Sequence, residues 1–351
     1  MRKILSFILT IVLLAGCLDK QTSTITDKVI TKGQMPNVAV DKKTKIHLVY
    51  GSGDSLLYSM SLNKGNTFSS PETIAILPGL YSFATRGPQI TITNNGVLVT
   101  AATSSGNIFS FYKADNKKWL PSGKVNDRDT IAKEGLMSLS SEGDNAFAVW
   151  LDLRDDRHNK LFGAKSNDGG RSWSKNMMVY TSPDSTICEC CKPSVAVKDH
   201  KVYIMFRNWL KGNRDLYLIQ SANDGQTFGE AQKLGKASWQ LNGCPMDGGA
   251  IAVTNDKNIQ TVWRRESKIY SALPGMPEKE IGEGRGCSLE TTNKGTFYSW
   301  VENGNVVVLD PRGKKNIVGK GIQPVIKAID NNRLICVWES DKQLHSSVID
   351  L

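Results

Sequence analysis

From Pro36 to the C-terminus the chain reads as short runs in which apolar and polar positions alternate, punctuated by Gly, Pro, Asn and Asp. "PNVAV", "KIHLVY" and "LLYSMS" follow one another between Pro36 and Ser61, and "ETIAI" comes after a gap, at Glu72. "PSVAV", "KVYIMF" and "LYLIQS" repeat that order from Pro193, with "AQKLG" from Ala231. A period of two presses one side of each run against a core, which is the signature of strands; helical periodicity is essentially absent. First strands of successive units are expected near Pro36, Pro88, Met137, Pro193, Gly249, Cys287 and Pro324, which makes seven units. Four short strands per unit, repeated with turn signals, predict an all-β fold, a β-propeller of four-stranded blades. The last unit holds only three strand-like runs, and "DKVITKG", residues 27–33, is expected to supply its fourth. That strand would close the ring and leave no open edge.

The gaps between third and fourth runs carry a second repeat. "SLNKGNTF" from Ser61, "SNDGGRSW" from Ser166 and "SANDGQTF" from Ser221 share Ser-x-Asp/Asn-x-Gly-x-Ser/Thr-Trp/Phe. Asn63, Asp168 and Asn223 can close a turn through backbone N–H groups. Gly65, Gly170 and Gly225 permit positive φ, and Phe68, Trp173 and Phe228 can bury a ring beneath the turn. The pattern resembles the Asp-box, or BNR repeat, of sialidases and related β-propellers, and "ADNKKW" from Ala114 resembles a degenerate fourth copy. The resemblance makes these turns structural. The run of strands favours seven blades; six is the alternative, since units five and six are short and lack the box, and the resemblance to sialidases also favours six.

The N-terminus is of another kind. Arg2 and Lys3 precede an apolar stretch from Ile4 to Leu14 that is too short to span a bilayer. Small residues then lead to Cys17. This is a signal-peptide pattern, and its ending resembles the lipobox of bacterial lipoproteins. The resemblance implies removal of residues 1–16, lipidation of Cys17, a tether through residue 26, and a single domain over residues 27–351. Leu18 stands where an aspartate would favour inner-membrane retention, so an outer-membrane location is expected in a Gram-negative cell. The formal charge of +10 falls to +8 without Arg2 and Lys3, and the lysines are scattered. That reads as a solvated basic surface; no nucleic-acid partner is expected, while an acidic glycan or another envelope protein is open.

In a propeller, the loops between blades and those joining second to third strands share one face. Here they hold Arg86, Arg154, Arg207, Arg214, Arg264 and Arg285, with Trp239 among them. An arginine fork binds carboxylates bidentately. Sialidases hold the carboxylate of sialic acid with an arginine cluster, and "TRGP" from Thr85 resembles a shifted form of their Arg-x-Pro motif, with Arg86 as the matching arginine. The same resemblance asks for an acid/base aspartate and a tyrosine nucleophile. Asp127, Asp129 and Asp247 are the candidates for the first, and Tyr81 is the tyrosine of the blade-to-blade loops. A glycosidase of this kind requires no cofactor. Loop arginines paired with neighbouring aspartates are the competing reading. The four histidines form no metal-ligand pair, and no Gly-x-Ser-x-Gly, phosphate-binding or dinucleotide motif occurs.

Cysteine is the feature outside that resemblance. Cys188, Cys190 and Cys191 lie in one blade-to-blade loop, Cys244 and Met246 in the next, and Cys287 in the third. Cys336 alternates into a strand and is expected to be a packing thiol. One of the triple bonded to Cys244 would staple neighbouring blades, as export permits; which one is not set by sequence. Thiolates with a thioether would instead suit Cu(I), and thiolates alone zinc. The expectation is a sialidase-like envelope protein that binds or cleaves an anionic glycan. A thiolate metal or redox protein and a protein-binding scaffold are the alternatives.

Overall fold

A computed structural model describes residues 27–115 and 117–351. Cys17, the signal peptide and the tether lie outside the described residues. No described helix is long and apolar enough to cross a membrane.

Seven antiparallel four-stranded sheets form the fold, six of them with their strands in chain order from the centre outward. The innermost strands begin at Gln34, Gln89, Met137, Ser194, Gly249, Arg285 and Ile322, close to the positions set by the alternating runs. Seven blades therefore replace the six implied by sialidase resemblance. Blades five and six keep four strands each without the octapeptide turn. The seventh is completed from the other end of the chain: Lys28–Lys32 pairs antiparallel with Gln343–Asp350, Val29 opposite His345 and Lys32 opposite Gln343.

Packing follows from the alternation. Seven hydrophobic clusters form, each joining two adjacent blades, including one between the first and last around Val38, Leu48, Ile335 and Val337. Trp150, Trp300 and Trp338 are fully buried. At about 25 cal/mol per Å² of apolar surface removed from water, these junctions are what hold blade to blade. Cys336 is buried within the junction of blades six and seven.

The three octapeptide turns have one hydrogen-bond pattern. Ser61, Ser166 and Ser221 each accept from the glycine N–H four residues on, at 2.8–2.9 Å. Asn63, Asp168 and Asn223 accept from the N–H of the residue four further on, at 2.9–3.0 Å. Gly170 sits at φ +85°, and a Cβ there would lie 2.2 Å from Leu98 Cδ1 of the preceding blade. The turn thus needs glycine both for its backbone and for the approach. Phe68, Trp173 and Phe228 pack into the adjoining junction clusters.

One outer strand is short. In blade four only Gln232–Lys233 pairs as the fourth strand. Asp215 draws the chain away, accepting from the Trp239 N–H at 2.8 Å and pairing with Lys233 at 3.1 Å. Residues 234–248 are thereby carried back toward the loop face.

Candidate functional site

The inner strands of all seven blades line a central funnel of about 530 Å³. Asn37, Gln89, Ser138, Ser140, Ser194 and Gln323 give it a hydroxyl and amide wall. Three charged groups of the wall are matched: Lys327 and Glu290 with each other at 2.9 Å, and Asp247 with Arg264 at 2.8 Å. Lys192 is not. Its ammonium donates to Gln89 Oε1 at 3.0 Å, and no carboxylate of the described residues pairs with it. Gln89 is itself held, donating to the Gly87 and Pro88 carbonyls and accepting from Asn37 Nδ2 at 3.0 Å. An ammonium has three donors, so two remain for a ligand. Burial pushes Lys192 down to about 8 from the ordinary 10.5. Lys192 was not among the sequence candidates. Its signal is positional: it follows the cysteines and precedes Pro193, where an inner strand enters the funnel.

The arginines of the loop face serve mainly the loops themselves. Arg207, 2% exposed, donates to the carbonyls of Arg214 (2.7 Å), Arg264 (2.8 Å) and Asp247 (3.4 Å), tying three loops together. Arg264 bonds Asp247 and the carbonyls of Glu266 and Pro245. Arg207 and Arg264 each lie 5.3 Å from the Trp239 ring centroid. Arg154 grips Asp152 with Nε and Nη2, both at 2.9 Å, and reaches Asp127 at 3.3 Å. Arg86 donates to the Glu134 carbonyl at 2.5 Å and pairs with its carboxylate at 3.4 Å. Arg285 is exposed, without a side-chain partner among the described residues.

The sialidase-type candidates are dispersed. Asp127 is engaged by Arg154 and Asn176. Asp129 is exposed and paired with Lys124. Asp247 is buried, and burial raises its carboxyl against the pull of Arg264 and Arg207. The Tyr81 hydroxyl donates to the Lys133 carbonyl at 2.7 Å. None of these four bonds another.

The cysteines do converge. Cys190 and Cys244 form a disulfide across 54 residues, joining the loop before blade four to the loop after it. Cys188 and Cys191 are free and buried beside it. Cys188 Sγ lies 3.4 Å from Cys191 Sγ and 3.8 Å from Cys190 Sγ. Arg214 Nη1 donates to Cys188 Sγ at 3.1 Å, its guanidinium 4.3 Å from the Trp209 ring centroid. The Cys188 thiol is pulled down to about 6, first by the Cys191 thiol and then, against burial, by Arg207 and Arg214. Burial and the same contact push Cys191 up. Met246 is 48% exposed. Cys287 stands apart, free and lining the funnel.

A seven-bladed propeller with a polar funnel holding one unmatched lysine, and a sulfur cluster on its rim, is the class of molecule this fold and site define. No protein-family model and no curated protein matches the chain. Solved structures do. The BP39L lectin from Burkholderia pseudomallei aligns at a TM-score of 0.64 with 9% identity, over 92% of this chain and 97% of that one. A family PL25 ulvan lyase, solved with a GlcA(1-4)Rha3S saccharide bound, aligns at 0.57 with 9% identity, over 93% and 96%. The Hadza microbial sialidase Hz136 aligns at 0.46 with 12% identity, over 91% and 66%. At such identities the likeness is one of fold.

Proposed function

We propose that this chain binds an acidic saccharide at the loop end of its funnel, with Lys192 pairing the carboxylate or sulfate. The observation that carries this reading is the Lys192 ammonium, half-buried and without a charge partner among the described residues, in a cavity walled by amides and hydroxyls. Burying a charge is costly unless it is paired, and an anionic ligand would supply the pair. The amides and hydroxyls around it suit sugar hydroxyls. Propellers of lectin and polysaccharide-lyase type among the similar folds agree with this reading. Binding rather than hydrolysis is favoured, since Asp127, Asp129, Asp247 and Tyr81 have separate partners. Lipidation at Cys17 belongs to the same proposal: the anchor would hold the propeller at the outer membrane. Mass spectrometry of the N-terminal peptide from membranes tests it.

Calorimetry with uronate-containing, sialylated and sulfated oligosaccharides, each beside its neutral counterpart, tests the binding. The acidic member of at least one pair is expected to bind, and Lys192→Met to abolish that binding. Equal binding of neutral sugars, or full binding by Lys192→Met, would sink the reading.

A further inference from the structure

The sulfur cluster has no part in the saccharide reading, and its geometry has its own logic. The sulfurs of Cys188, Cys190 and Cys191 all lie within 4.8 Å of one another in a buried loop. Three sulfurs bonded to one ion at about 2.3 Å stand roughly 3.8–4.0 Å apart; the Cys188–Cys190 and Cys188–Cys191 separations are 3.8 and 3.4 Å. The backbone is also secured, since the Cys188 N–H donates to the Arg207 carbonyl at 3.1 Å.

Charge points the same way. Arg207 and Arg214 are both buried, and neither bonds a carboxylate; their donors go to carbonyls and to Cys188 Sγ. Three thiolates around a monovalent cation carry two net negative charges, which the two guanidinia balance. Soft thiolates select Cu(I). Cys-x-Cys-Cys is tighter than the usual spacing of zinc ligands, which leaves about two to four residues between them. The approach is soft as well: Cys244 is exposed, and the exposed Met246 thioether lies two residues on.

We propose that the reduced chain binds one Cu(I) through Cys188, Cys190 and Cys191, and that the Cys190–Cys244 disulfide is the closed, metal-free form. Opening takes two electrons and two protons from a dithiol donor. The S–S bond becomes two thiols, and the donor leaves as its own disulfide. Cu(I) then binds the three sulfurs as thiolates, and any proton still on them goes to solvent.

The test uses the full chain, purified without oxygen, with and without prior dithiol reduction. Cu(I) is titrated against a chromophoric Cu(I) chelator. Reduced protein is expected to take one Cu(I) per chain and the oxidised form none. Cys188→Ser and Cys191→Ser should lose stoichiometric binding. Cys244→Ser is the decisive variant, because it frees Cys190 without touching the three ligands; it should bind one Cu(I) with no reductant. Should a ligand variant fail to fold, Cys244→Ser still decides. Reduced wild type that takes no Cu(I), a Cys190→Ser protein that binds as wild type does, a Cys244→Ser protein that still needs reductant, or Zn(II) displacing Cu(I) at equal concentration would each overturn the proposal.

Discussion

Replacing Lys192 by Met removes the unmatched charge in the funnel, and its consequences can be worked out. An unfolded chain keeps this ammonium protonated up to about 10.5, the folded chain only up to about 8. Between those values the unfolded state holds the extra proton, so the contribution of this group to stability rises with pH across that window. Below pH 8 the full cost of burying the charge is present. At about 1.4 kcal/mol per pH unit it amounts to about 3 kcal/mol. Methionine leaves little undone, because Gln89 Oε1 keeps the Asn37 amide at 3.0 Å. Lys192→Met should therefore be more stable than wild type at pH 7, by about 2–3 kcal/mol once lost packing is allowed for. That gain should shrink from pH 8 and vanish above the ordinary lysine value. Urea unfolding followed by tryptophan fluorescence, on both proteins across pH 7 to about 11, measures it. The same substitution should abolish saccharide binding, and wild-type affinity for an anion should fall as pH rises past about 8. A variant less stable at pH 7, or a stability difference that ignores pH, would show that the Lys192 charge is already compensated. The case for an anion in the funnel would then fail.

Other perturbations test the scaffold around the site. Arg207→Met should cost about 3 kcal/mol or more in urea unfolding, since the carbonyls of Arg214, Asp247 and Arg264 lose their shared donor in a buried setting. A cost below 1 kcal/mol would mean water replaces the guanidinium. Asp168→Ala should cost about 1–2 kcal/mol and Asp168→Asn much less, because Asn63 and Asn223 make the corresponding bonds in the sibling turns. Against burial, hydrogen bonds from Ser172, Ser166 and the Arg171 N–H hold the Asp168 carboxyl below its ordinary range. Its contribution is thus present above that range and lost as pH falls through the folded value, so the difference between wild type and Asp168→Ala should narrow in acid. Equal unfolding midpoints for Asp168→Ala and wild type would refute the role of the turn.

The blades were legible because alternation is local: each run states which of its side chains face a neighbour, and the octapeptides mark where the third strand turns. Closure was legible by arithmetic, since a unit with three runs at one end and a spare run at the other can be completed in one way. The sulfur cluster was legible in part, because neighbouring blade-to-blade loops share a face: Cys244 meets the triple, whereas Cys287 of the third loop stands apart in the funnel. The partner of Cys244 was not, because a choice among Cys188, Cys190 and Cys191 depends on the path of a loop without regular structure. The arginines show the deeper limit. Arg207 and Arg264 satisfy themselves largely on main-chain carbonyls, and such acceptors have no signature in side-chain sequence. A planar fork with five donors can tie several loops at once, so the residue that most suggests an anion site is also the best brace for an irregular face. Lysine is a point charge on a flexible stem and braces poorly. When one is half-buried beside a cavity with two donors to spare, as Lys192 is, its meaning lies in what does not surround it. That absence belongs to the folded arrangement, and "CKPSV" by itself marks no more than the start of a strand.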